Sequence, residues 1–334
     1  MIRIARVPLA VLLLLAAAGV ARADDVLKAK VGVLRLSSSA PVFIAQDKGY
    51  FRDAGLAVDL KFFDAAQPIA VATTSGDVDF GVTAFTAGLY NLAGKGTLKL
   101  IGGMSRERAG YPLIGYFASN NAYAGGLRNP RDLAGKRIAV TQVGSSFHYS
   151  LGLLADKYGF KLADVKVLPM QSLSNAAAAL KGETVDAALL PASTARKLID
   201  DGGARLLGWV GDETPWQLGA VFASPKTLAN KPLVTKLLGA LERADREYHD
   251  VILASVTDGK AAVNDTTGPL LEIIAKYTNL PLEQVVGNCA YIDPDGRLDV
   301  KNVANQIEWL QAQGFVDKGF AVDAIIARDY VKPD

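Results

Sequence analysis

The chain has 334 residues, half of them apolar and 21% charged, with 36 basic against 34 acidic side chains. That much apolar material excludes intrinsic disorder, and a formal charge of +2 gives no footprint for nucleic acid or an anionic membrane. One cysteine (Cys289) and two histidines (His148 and His249) exclude an intrachain disulfide, and they predict no metal site and no cofactor.

The first residues combine basic Arg3 and Arg6, an apolar run from Leu9 to Val20 and the small-residue pattern Ala21-Arg22-Ala23. This is the layout of a secretory signal peptide cleaved after Ala23, with an apolar run too short to span a bilayer. Its removal discards three arginines and takes the formal charge from +2 to −1. The mature chain is thus expected to be soluble and periplasmic.

The remainder matches itself at a long offset. Lys30 to Leu34, Ser37-Ser38-Ser39 and Lys48-Gly49-Tyr50-Phe51 correspond to Arg137 to Val140, Ser145-Ser146 and Lys157-Tyr158-Gly159-Phe160. Gly76 to Val82 likewise corresponds to Gly182 to Leu189, placing Asp79 and Asp186 at an offset of 107. A period of that length predicts two lobes of one design, not a solenoid. Each repeat alternates short apolar strands with helices, which argues for α/β lobes built on parallel sheets wound on both faces.

Two further apolar strands, Tyr111 to Ser119 and Gln217 to Ser224, both end in Phe-Ala-Ser and are read as the crossings between lobes. The predicted organisation is a signal peptide (1–23), a discontinuous first lobe (24–115 and 220–334) and a second lobe (116–219). Beyond Ser224 the pattern is helical: Pro232 to Ser255, Pro269 to Thr278, Val300 to Gln313 and Ala321 to Ala327.

A family resemblance becomes specific in Ala40 to Phe51 followed by Gly55 to Leu60, in Ser75 to Gly81, in Asp132 to Val140 and in the tail from Leu298 to Val331. These segments resemble the nitrate, sulfonate and taurine type solute-binding proteins of ABC importers, a group that includes binders of thiamine pyrimidine precursors. The resemblance implies a type II periplasmic binding protein fold, two doubly wound lobes joined by two hinge crossings and closing on a small ligand. It also implies an inner-membrane ABC permease as partner. The chain is expected to act as a monomer without nucleic acid. The chain lacks the paired glycines that the family often shows at Asp64 to Gln67.

Ligands of open parallel sheets bind beyond the carboxyl ends of the strands, where loops lead into helix N-termini. That rule selects Ser37, Ser38 and Ser39 after the first strand, and Thr83, Phe85 and Thr86 after the third. In the second repeat it selects Gln142, Gly144, Ser145, Ser146, Phe147 and His148, then Pro191 and Ser193. Trp216 is added as a flat wall beside the cleft. Arg106-Glu107-Arg108 is a mixed charge run and reads as a solvated loop.

No acid–base dyad, nucleophile triad or phosphate-binding lysine loop emerges from the spacing. The expected activity is capture of a small organic anion, a sulfonate or aromatic carboxylate, without catalysis. The alternatives are a neutral pyrimidine or vitamin-precursor ligand, or an enzyme on the same fold such as a pyrimidine-precursor synthase or a menaquinone-pathway lyase.

Overall fold

The computed structural model describes residues 26–334, so the expected signal peptide lies outside the described residues. Two five-stranded sheets carry the fold. The first contains β1 (Leu27–Leu34), β2 (Leu56–Phe63), β3 (Phe80–Ala84) and β4 (Lys99–Gly103). The short β5 (Arg106–Glu107) leads to β6 (Ile114–Ala118), β7 (Arg137–Val140), β8 (Lys166–Pro169), β9 (Ala187–Pro191) and β10 (Arg205–Trp209), which form the second sheet. A second short strand, β11 (Trp216–Gln217), returns the chain to β12 (Gly219–Ala223) in the first sheet.

The orders are β2-β1-β3-β12-β4 and, read in the matching sense, β8-β7-β9-β6-β10. The repeat is visible in the register itself. Val31 lies opposite Phe80 and Gly32 opposite Gly81. In the second sheet Ile138 lies opposite Ala187 and Ala139 opposite Ala188, every residue displaced by the same 107 positions.

The expectation of parallel sheets holds for β2-β1-β3 and for β8-β7-β9. It fails at β12 and β6, which run antiparallel to both neighbours. These are the two Phe-Ala-Ser strands. Every residue of each is buried, so they are interior sheet strands that follow the crossings. The crossings themselves are β5 and β11, which pair antiparallel through Trp216 with Glu107 and Gln217 with Arg106.

This pairing also corrects the reading of a solvated loop for Arg106 and Glu107, while Arg108 is exposed as that reading expects. Glu107 is 1% exposed, and Arg106 donates to Asp334 at 2.6 Å and to the Arg297 carbonyl at 3.0 Å. A two-stranded ribbon between two lobes has protein on both faces, and that covers Arg106 and Glu107, whose composition suits a surface.

The C-terminal helices largely follow their predicted spans, with Lys231–Glu247, Gly268–Thr278 and Val300–Ala312 helical. Ala321 to Ala327 instead holds only a short 3-10 turn, Val322–Ala324, and Ile326 bridges to Leu100 at the edge of the first sheet. Val303, Ile307 and Leu310 share a core cluster with Leu89, Leu100 and Phe222 of that sheet and its helices. Burying such side chains at about 25 cal/mol per Å² holds the segment in place.

Candidate functional site

Between the two sheets lies a partly enclosed cavity. Its walls come from the carboxyl ends of the parallel strands of both lobes. Ser38 follows β1, Ala84 ends β3 and Thr86 caps the helix after it, Thr141 and Gln142 follow β7, and Pro191 ends β9. The helix Ser146–Tyr158 begins at the cavity, with Ser145 as its N-cap and Ser146 and Phe147 in its first turn. First-turn N–H groups have no intrahelical acceptor, and they carry the positive end of the helix dipole. The rest of the wall is mostly aliphatic, including Leu34, Leu113, Ile114 and Leu218.

Seven of the residues selected from sequence meet at this cavity: Ser38, Thr86, Gln142, Ser145, Ser146, Phe147 and Pro191. The others sit beside it. Successive strand residues face opposite sides, so with Ala84 and Thr86 on the wall, Thr83 and Phe85 turn away. Phe85 stacks on Tyr90 with ring centroids 5.1 Å apart, and Thr83 is buried opposite Ala220 of β12. Ser37 and Ser39 flank Ser38 in a 3-10 turn, where three residues per turn send three side chains in different directions. Ser193 is buried in the first turn of the helix Ala192–Asp200.

Trp216 is 4% exposed and makes a T-shaped contact with Tyr149 at 4.8 Å, on the crossing ribbon and away from the cavity wall. A flat ring at that position packs the ribbon onto the Ser146–Tyr158 helix.

Gly144 and His148 act on the junction between lobes. The Gly144 carbonyl accepts the N–H of Ala87 at 2.8 Å, where the helix Ala87–Gly94 of the first lobe begins. Gly144 has φ +74°, and a Cβ there would lie 2.6 Å from the Ala87 Cβ. Only glycine satisfies both the left-handed backbone and the close approach. The Gly144 N–H donates to Nδ1 of His148 at 3.0 Å, and burial pushes the His148 pKa down. A ring nitrogen that accepts is unprotonated, so His148 is neutral with its proton on Nε2. Its ring packs against Phe315 of the C-terminal segment at 4.9 Å.

Sequence reasoning passed over Leu34, Leu36, Ala65, Ala66 and the aliphatic wall already named, and left Thr141 out of the selected residues although its segment was a candidate. The alanines stand at the place where the family's paired glycines are absent. Position at a strand end was a usable signal for Thr141. Aliphatic residues that line a cavity have the same sequence pattern as core residues, so no signal marked them. Among the described residues that line the cavity, none is charged. Among the described residues, no group of three or more His, Cys, Asp or Glu is placed to hold a metal ion, and no helix is long and apolar enough to cross a membrane.

Two lobes of repeated topology, joined by a two-stranded crossing and facing one another across a cavity, define a periplasmic binding protein fold. The chain belongs to the NMT1/THI5-like family, whose profile matches residues 37–249. Over 175 residues it is 30% identical to the taurine-binding periplasmic protein of Escherichia coli (strain K12), covering 52% of this chain and 51% of that protein. The chain thus matches about half the length of this curated relative.

Among solved structures it is similar to the alkanesulfonate-binding protein SsuA from Xanthomonas axonopodis pv. citri, bound to MOPS. There the TM-score is 0.71 at 21% identity, over 93% of this chain and all (100%) of that one. The periplasmic nitrate-binding protein NrtA from Synechocystis PCC 6803 gives a TM-score of 0.72 at 13% identity, over 91% of this chain and 87% of that one. At these identities the likeness defines the fold.

Proposed function

We propose that this protein is the solute-capturing component of an ABC importer, exported to the periplasm, where it closes its lobes on a small organic anion of sulfonate or aromatic-carboxylate type. The closed form is then the surface that an inner-membrane permease recognises. The observation that carries this reading is the makeup of the inter-lobe cavity. Its lining presents the hydroxyls of Ser38, Ser145 and Ser146 together with a helix N-terminus, and most of the rest is aliphatic. Hydroxyls and first-turn N–H groups solvate an anion without a counter-charge, while the aliphatic wall accepts its apolar body. The sulfonate, taurine and nitrate ligands in the names of the relatives support the anionic class. The residues at the cavity supply binding groups and no nucleophile–base pair, which favours transport over turnover.

A second reading, a neutral pyrimidine-like or vitamin-precursor ligand, is favoured by the absence of any charged residue among the lining residues. Titration calorimetry of the purified protein with an aromatic sulfonate, the matching carboxylate and the uncharged amide separates the two. The anionic reading requires the sulfonate or carboxylate to bind at least about tenfold more tightly than the amide. Preference for the amide selects the neutral ligand instead. Native mass spectrometry of the freshly purified protein weighs any ligand it retains.

A further inference from the structure

Outside the inner cavity, and sharing Leu34, Leu36 and Leu173 with it, lies a second, more open chamber at the mouth of the cleft. The three shared leucines form a collar: Leu34 ends β1, Leu36 lies in the loop after it, and Leu173 starts the helix Leu173–Lys181 in the second lobe. Beyond the collar the lining changes character. The first lobe contributes Arg35, Phe62, Phe63 and Asp64, and the second contributes Ser174 and Thr194.

Arg35 is held in place without being neutralised. Its guanidinium lies 3.6 Å from the centroid of the Phe62 ring, and Nη1 donates to the Tyr277 carbonyl at 3.0 Å. Among the described residues no carboxylate pairs with it. A guanidinium fixed by stacking and one hydrogen bond keeps its other N–H groups free for a carboxylate or sulfonate.

Building on the anion-binding reading of the inner cavity, we propose that the mouth chamber is a second subsite and that the ligand is a two-headed organic anion. One head sits at the hydroxyls and helix N-terminus inside, an apolar body passes the leucine collar, and the outer head pairs with Arg35. Ser174 and Thr194 offer hydroxyls to that head from the opposite lobe, so the ligand ties both lobes at both ends. Asp64, on the same wall as Arg35, opposes the outer charge and moderates affinity.

The test compares hexane-1-sulfonate with 6-sulfohexanoate, which adds a terminal carboxylate, by titration calorimetry on the full protein and its variants. The wild-type protein is expected to bind the two-headed compound about tenfold more tightly, with an advantage that shrinks as salt is raised. Arg35→Gln should abolish the advantage while leaving hexane-1-sulfonate within about twofold of wild type. Arg35→Lys, which keeps the charge, should retain part of it, and Asp64→Asn should enlarge it. Equal binding of the two compounds by the wild type, or an advantage that survives Arg35→Gln in a protein of unchanged melting temperature, overturns the subsite. Failure of both compounds to bind overturns the anion reading of the inner cavity, and this inference with it.

Discussion

The Asp186 carboxylate accepts the backbone N–H of Arg137 at 2.8 Å and pairs with its guanidinium, also at 2.8 Å. The same device stands one repeat earlier, where Asp79 accepts the N–H of Lys30 at 2.7 Å. Each aspartate precedes the third parallel strand of its lobe and clamps the first strand beside it, at its fourth residue in β1 and its first in β7. The acidic residue that marked the sequence repeat is therefore a structural staple. Its position in each lobe follows from the shared register of β1 with β3 and β7 with β9.

Asp186→Ala is expected to destabilise the protein by about 1.5 kcal/mol, the low end for a hydrogen bond to a charged group because the pair is partly exposed. Asp79→Ala should cost less, since no guanidinium joins it. Arg137 lowers the Asp186 pKa, chiefly through their side-chain hydrogen bond. The unfolded carboxyl therefore takes up its proton at higher pH than the folded one. The staple's contribution is complete above the unfolded value of about 4 and is lost as pH falls through the folded value. Urea denaturation of wild type and variant from pH 3 to pH 7 should show the two curves converging at the acid end.

Asp245 predicts the opposite slope. It sits within the Lys231–Glu247 helix at 9% exposure, and burial, with Asp293 and Glu242 adding to it, raises its pKa well above the usual carboxyl range. Between about pH 4 and that raised value, the folded state holds a proton that the unfolded state has released, so stability falls as pH rises. Asp245→Asn should stabilise the protein by about 1–2 kcal/mol at neutral pH and change little near pH 4. Equal melting shifts at the two pH values would refute this account.

The junction of Gly144 with Ala87 predicts a closure mutant. Gly144→Ala introduces both a strained backbone and a contact at 2.6 Å with Ala87, so the lobes cannot meet in the same geometry. Ligand affinity should fall about tenfold or more, with a melting temperature lowered by only a few degrees, because the loop can relax in the open form. Small-angle scattering should show the variant failing to contract when ligand is added.

His148 makes the same junction sensitive to acid. With its pKa pushed below 6.5 by burial, stability is fully present above that value and declines as the unfolded state gains protons below it. Protonation of Nδ1 also removes the acceptor for the Gly144 N–H. Ligand affinity should weaken as pH falls through the lowered His148 value, and His148→Phe should flatten that dependence in a calorimetric pH series.

A substitution that fills the cavity separates binding from folding. Ala66 lines the chamber and is only half-buried, so Ala66→Phe should occupy ligand space and abolish binding with a stability change under about 1 kcal/mol. Trp216→Ala should do the reverse. It removes a buried ring from the crossing ribbon, costs about 3–5 kcal/mol, and affects ligand only through the hinge.

Much of the architecture was legible because it is written in local pattern. The paired strands, the Gly-Asp approach to the third strand and the serines before helices all recur at one offset. The site was legible by loop but not by side chain. Ser38 reaches the cavity and its neighbours do not, a distinction of direction within one turn that composition cannot express. Arg106 and Glu107 in the charge run misled for a related reason, since nothing local reveals that a second strand and two lobes will cover them.

Sequence by itself determined the apolar content, the domain-scale repeat, the strand-to-helix loops that could face a ligand, and the shortage of histidine and cysteine that argues against metal or thiol chemistry. Tertiary structure alone decided which of those side chains meet, that β6 and β12 run against their neighbours, and that leucines and alanines wall the chamber. It also placed Gly144 where a neighbouring lobe leaves no room for a Cβ. The division has a physical cause. Backbone preference and hydrophobic periodicity act over a few residues and leave a local mark, whereas a cavity is defined by surfaces that are distant in the chain and close only after folding.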